Sequence, residues 1–169
     1  RAVCAEAGVE LANLNCPGQL VISGPAEHIA RACELARARG ARRALPLPVA
    51  GAYHSPLMAG AQPKLQAELE RVTLRPPAVP VIANVTARPH DGPETLRARL
   101  VEQVTSPVRW EESMRYLIEQ GFTRFLELGP GTALTGFMKR IAKTAQVYNV
   151  EDTASLAATA AALGADGAR

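Results

Sequence analysis

The run from Phe125 to Val150 constrains the fold more than any other part of the chain. Phe125-Leu126-Glu127-Leu128 is a short strand pattern that enters Gly129-Pro130-Gly131 without a break. Leu134, Phe137, Met138 and Ile141 then recur at helical spacing, and Val147-Tyr148-Asn149-Val150 is again a strand pattern. Strand, glycine turn, amphipathic helix and strand are the parts of a crossover unit, because two parallel strands need a helix-length connection between them. The expected class is therefore α/β with a mainly parallel sheet.

Upstream, Pro107 opens a helix that carries Trp110, Met114, Leu117 and Ile118 as far as Gly121. A further helix is expected at about 93 to 104, after the polar connection Pro89-His90-Asp91-Gly92-Pro93. Val79 to Val85 reads as a strand, and residues 57 to 72 as a helix with Leu65, Leu69 and Val72 on one face, closed by Pro76, Pro77 and Pro80. The first fifty residues differ. A helix stops at Gly8, a strand runs from Gln19 to Ile22, and a helix capped by Ser23 or its neighbour places Ile29, Ala32, Cys33 and Ala36 on one face up to Gly40. Arg43 to Val49 is expected to be extended, with Pro46 and Pro48 confining it to an edge or a strand end. Helix, strand, helix, strand with short connections suits a partial ferredoxin-like small lobe that lacks one strand. The expected plan is a small lobe at 1–50, an α/β lobe at 51–152, and an Ala-rich helical tail at 153–169 with a frayed glycine-containing end.

Composition narrows the function. The net charge is +3, but Lys and Arg are scattered among acids and aromatics make up only 4% of the chain, which argues against a stacking nucleic-acid groove. No stretch approaches the roughly 18–20 apolar residues that cross a bilayer, and the N-terminal residues lack a signal-peptide core. A soluble, cytoplasmic protein with no nucleic-acid or membrane partner is expected. Cys4, Cys16 and Cys33 form neither a CxxC pair nor a disulfide framework, consistent with buried thiols in a reducing compartment. The three histidines stand far apart, so no metal site is expected. Gly129 to Gly136 lacks G-x-G-x-x-G spacing, so no dinucleotide cofactor is expected either. Lys139, Arg140 and Lys143 cluster near one helix end, as a solvated face or as a docking patch for an acidic partner.

"GAYHSPLM", residues 51 to 58, is the segment of chemical interest. From the residues alone, His54 is either a satisfied structural ring or a base; His28, in a first helical turn, and His90, in a polar connection, have the look of bystanders.

Five runs decide between these readings: "NLNCPGQLVISG" (13–24), "GARRALPLPVAGAYHSPLM" (40–58), "VPVIANVTA" (79–87), "LVEQVTSPVRWEESMRYLIEQG" (100–121) and "FLELGPGTALTGFMKRI" (125–141). Together, in this order, they resemble the C-terminal half of the malonyl-CoA:acyl-carrier-protein transacylase family, over about residues 1–152. The resemblance implies the C-terminal part of an α/β-hydrolase-like acyltransferase lobe beside the partial small lobe. It implies malonyl-CoA as substrate, acyl carrier protein as partner and no cofactor, in fatty acid biosynthesis. It makes His54 the base that deprotonates a serine nucleophile in a ping-pong reaction, and Gln103 the residue whose backbone carbonyl orients the ring. Tyr53 falls where the substrate α-carbon is sensed, and Asn15 and Asn84 match residues of cleft-lining segments. Lys139, Arg140 and Lys143 become candidates for carrier-protein docking.

One departure matters. None of Ser23, Ser55, Ser106, Ser113 and Ser155 has the G-x-S-x-G spacing of a nucleophile elbow. The expectation is a chain that supplies the base and needs the N-terminal half of the acyltransferase to be active. The alternatives are a non-catalytic carrier-protein-binding fragment and a piece of a polyketide synthase acyltransferase domain.

Overall fold

In the computed structural model, which describes residues 1–166, helix α1 (Ala2–Ala7) ends on Gly8 at φ +68°, a left-handed cap that favours glycine. The chain then forms an antiparallel hairpin, β1 (Glu10–Cys16) and β2 (Gln19–Ser23), before helix α2 (Ala26–Ala38). Cys4, Ala7, Val9 and Ala32 are the buried centre of this part, with Ile22, Ile29 and Leu35 packed against them. Gly24 is needed here because a Cβ would lie 2.9 Å from the Val9 side chain. His28 donates from Nδ1 to the Gly8 carbonyl at 3.1 Å, so its ring ties α2 to the end of α1, a structural role that suits the bystander reading. Two compact units divide the chain: Arg1–Ser113, and a second beginning at Met114.

The first unit also holds a 3₁₀ turn (Pro56–Ala61), α3 (Gln62–Glu70), the two-residue strands β3 (Ile82–Ala83) and β4 (Arg88–Pro89), and α4 (Pro93–Gln103). Helix α5 (Trp110–Glu119) carries the chain into the second unit. There β5 (Arg124–Leu128) pairs in parallel with β6 (Gln146–Val150), in register from Arg124↔Gln146 to Leu128↔Val150, through the crossover helix α6 (Ala133–Ile141). This is the unit expected from Phe125 to Val150. Helix α7 (Thr153–Asp166) follows and lies against β6. The fraying expected at the end of the tail lies outside the described residues. Leu126 and Leu128 are 47% and 74% exposed, although parallel strands are ordinarily covered on both faces.

Several expectations need correction. The strand expected at 43–49 is irregular chain: Pro46 and Pro48, two residues apart, would leave the same strand edge without donors. Strand β1 was missed, because Asn13 and Asn15 weaken a strand pattern and its pairing with β2 shifts register twice. Helix α2 is capped at Pro25, since Ser23 is still in the ladder opposite Glu10. The helix expected at 57–72 is interrupted because Pro63 offers no N–H to continue the ladder from the 3₁₀ turn. Val79 to Val85 shrinks to two strand residues, as the chain turns at Ala87 (φ +55°) and Pro89 cannot extend the pairing.

Candidate active site

His54 enters the 3₁₀ turn with φ +59°, in a left-handed region where non-glycine residues are uncommon and cost about 1–2 kcal/mol. The surrounding bonds fix it there. Ser55, 1% exposed, donates its hydroxyl to the Ala52 carbonyl at 2.6 Å, and the Met58 amide donates to the Ser55 carbonyl at 3.0 Å. The half-buried ring reaches 3.1 Å from Nδ1 to the main-chain carbonyl of Gln103, the last residue of α4. A carbonyl only accepts, so Nδ1 carries the proton and Nε2 is the basic nitrogen.

The Gln103 side chain competes for the same atom, with Nε2 3.3 Å from Nδ1. One N–H of its amide donates to the Ser106 carbonyl at 2.8 Å, while Oε1 is buried with no partner among the described residues. The shorter contact, to the carbonyl, favours a proton on Nδ1. A helix end leaves its last carbonyls without intrahelical donors, and these make up the negative pole of the helix dipole. His54 meets one of them.

The segment after α4 is stitched down. Leu14 donates to the Val108 carbonyl at 2.9 Å and Val108 to the Ala12 carbonyl at 2.8 Å, so β1 holds this segment on its second edge. The Arg109 amide donates to the Asn84 carbonyl at 3.0 Å, and its guanidinium pairs with Glu112 and donates to the Val85 carbonyl at 3.3 Å. The hydrogen bond from Arg109 holds the Glu112 carboxyl below its ordinary range. Asn15 is buried in β1 and Asn84 is exposed beside β3. Tyr53 is 49% exposed next to His54, and its ring lies 3.6 Å from where a Cβ on Gly51 would stand.

Lys139 and Arg140 occupy the last turn of α6 and Lys143 follows it, in the second unit, where cations complement the carbonyl end of a helix. His90 lines a cavity of about 230 Å³ with Arg88, Asp91 and Arg99 near the start of α4, while Gln103 is at that helix's end. Burial, then the Arg99 charge, push the His90 pKa down against the opposing effect of Asp91. The Gly129-Pro130-Gly131 turn is closed by the Gly131 amide on Glu151 at 3.0 Å and by Asn149 on the Gly131 carbonyl at 2.7 Å.

Two side-chain contacts were missed from sequence. Glu127 reaches from β5 to the start of α6, accepting from the Leu134 and Thr135 amides at 3.0 and 2.7 Å. Gln62 donates across to the end of α4, and a glutamine in a first helical turn carries no signal of so distant a partner.

The acyl transferase domain family matches residues 1–162 of the chain. The malonyl CoA-acyl carrier protein transacylase of Bacillus subtilis (strain 168) is 46% identical over 144 residues, 85% of this chain and 45% of its own length. A crystal structure of an acyl-carrier-protein S-malonyltransferase from Burkholderia pseudomallei 1710b superposes with a TM-score of 0.91 at 40% identity, covering 94% of this chain and 53% of that one. A malonyl-transacylase solved with its type II polyketide synthase acyl-carrier protein superposes with a TM-score of 0.89 at 42% identity, over 92% of this chain and 52% of that one. The chain spans about half the length of the curated malonyl CoA-acyl carrier protein transacylases it matches.

Proposed function

Because the chain belongs to the acyl transferase domain family, we propose that it supplies the general base and base-orienting carbonyl of a malonyl-CoA:acyl-carrier-protein transacylase, with the serine nucleophile borne on a segment outside it. The observation that carries this reading is the 3.1 Å contact from His54 Nδ1 to the Gln103 carbonyl, made by a histidine held at positive φ. A left-handed histidine kept in place by a buried serine and a helix end fits a site where strain serves function better than it fits packing.

His54 Nε2 accepts the serine proton as the serine oxygen attacks the malonyl thioester carbonyl. Collapse of the tetrahedral adduct expels the coenzyme A sulfur, which takes that proton from the imidazolium, and leaves a malonyl-serine ester. The phosphopantetheine thiol of acyl carrier protein then gives its proton to Nε2, attacks the ester, and the serine oxygen leaves with the proton restored. In each half-reaction the ring gains a proton on the side away from Gln103 and becomes an imidazolium. The α4 carbonyl end lies against Nδ1–H and steadies that charge, the task an aspartate has in other triads. Tyr53 beside the base restricts the α-carbon of the acyl group, favouring malonyl over α-branched donors. Asn15 and Asn84 line the acyl cleft, and Lys139, Arg140 and Lys143 attract acyl carrier protein. No step needs a cofactor or a metal ion.

The test is His54→Ala in the protein completed with a serine-bearing segment. General-base loss predicts a fall in malonyl transfer of about 100- to 10,000-fold. Transfer at the unsubstituted rate would remove His54 from the mechanism.

A further inference from the structure

Three carbonyls in the last turn of α4 are held by long local bonds: Val101, Glu102 and Gln103 each accept an amide three residues on, at 3.3 Å. Such 3₁₀-type bonds are weak ends to a helix. Two of these carbonyls take a second donor, and both donors come from one short segment. Gln103 accepts His54 Nδ1 at 3.1 Å, and Val101 accepts Gln62 Nε2 at 3.1 Å, which also lies 3.3 Å from the Thr105 hydroxyl. Between His54 and Gln62 runs the 3₁₀ turn Pro56–Ala61, so the two contacts span that turn at its ends.

We propose that Gln62 is a positioning residue for the His54–Gln103 pair, acting through the α4 terminus; the proposal rests on the reading of His54 as the base. Its amide bridges the last helical turn to Thr105 and so fixes where the Gln103 carbonyl points. Without it, the last turn of α4 loses its side-chain tie at Val101, the Gln103 carbonyl rests on the long bond from the Ser106 amide, and the ring's hold on the partner that selects the Nδ1–H form weakens. The Val101 arm of the bridge requires a donor at position 62, because a backbone carbonyl only accepts, whereas the Thr105 hydroxyl can also donate.

The variants are Gln62→Glu and Gln62→Met, which remove the donor at similar length, and Gln62→Lys, which keeps one. The first measurement is the long-range ¹H–¹⁵N spectrum of histidine-labelled chain, with the His54 signals identified from His54→Ala. The expected result is an Nδ1–H form in the wild-type chain and in Gln62→Lys, and a rise in the Nε2–H form in Gln62→Glu and Gln62→Met. In the completed transacylase, kcat falls about fivefold in the donor-less variants, with KM unchanged. A His54 spectrum that is the same in all four proteins overturns the proposal, as does an Nε2–H form in the wild type. If Gln62→Glu does not fold, Gln62→Met and Gln62→Lys decide between these outcomes. Should His54→Ala leave transfer intact, the base assignment fails, while the spectra still report whether Gln62 sets the ring.

Discussion

If the backbone carbonyl of Gln103 orients His54, replacing the Gln103 side chain should be mild. Gln103→Leu keeps the carbonyl 3.1 Å from Nδ1, ends the 3.3 Å approach of the side-chain amide to that nitrogen, and changes two terms in stability. One is the 2.8 Å bond from Nε2 to the Ser106 carbonyl, worth about 1 kcal/mol net. The other is Oε1, a buried acceptor without a partner, whose desolvation costs about 1–3 kcal/mol. A loss of about 1 against a relief of about 1–3 kcal/mol leaves stability unchanged or raised by up to about 2 kcal/mol, and because neither acts on the retained carbonyl the rate should change by no more than about fivefold. The assay is malonyl transfer to acyl carrier protein by the completed enzyme, comparing kcat/KM for wild type, Gln103→Leu and His54→Ala. Gln103→Leu should stay within about fivefold of wild type, while His54→Ala falls by about 100-fold or more. A Gln103→Leu defect as deep as that of His54→Ala would refute the reasoning and assign the orienting role to the side-chain amide.

Tyr53→Ser should open the site to an α-methyl branch, raising kcat/KM for methylmalonyl-CoA relative to malonyl-CoA by about 10- to 200-fold, the worth of one methylene in a pocket; an unchanged ratio in competition assays would show that Tyr53 does not sense the α-carbon. Gly24→Ala forces a Cβ to within 2.9 Å of the Val9 side chain and 3.3 Å of its backbone, so urea unfolding should show a loss of about 1–3 kcal/mol. For Glu127, partial burial raises the carboxyl pKa, but hydrogen bonds from Thr135 and Leu134 outweigh it and hold the carboxyl below its ordinary range. Its folded pKa being depressed, its contribution is fully present above 4.5 and is lost as the pH falls through the folded value. Glu127→Gln should therefore be less stable than wild type at pH 7 and should lose less on acidification, read as urea midpoints from pH 6 to about pH 3; parallel curves would exclude Glu127 from the acid response.

The crossover from Phe125 to Val150 was legible because strand, turn and helix each carry a local signal, and the helix stops at Gly8 and Gly121 likewise, both glycines adopting positive φ. Strand β1 was not, because Asn13 and Asn15 are poor strand formers and what holds them is non-local: β2 on one edge and Val108 on the other. The 43–49 segment misled in the opposite direction, since its apolar residues look like a strand while Pro46 and Pro48 remove the donors that pairing needs. Leu45, Leu47 and Val49 are 61%, 56% and 60% exposed, so among the described residues nothing buries their pattern. At the site, the pairing of His54 with Gln103 was reached through family resemblance; no spacing rule brings together residues 49 positions apart. Gln62 and Glu127 act through oxygen and nitrogen atoms of distant turns, which no local pattern encodes.

The most direct test of the central claim is intact-protein mass spectrometry of malonyl loading, with malonyl-CoA and acyl carrier protein, on this chain alone and mixed with a separately expressed segment that bears a G-x-S-x-G serine. The account predicts a malonyl adduct on that serine and on the carrier protein only in the mixture, lost again when the mixture contains His54→Ala. Absence of any adduct in the mixture, or loading that survives His54→Ala, would contradict it.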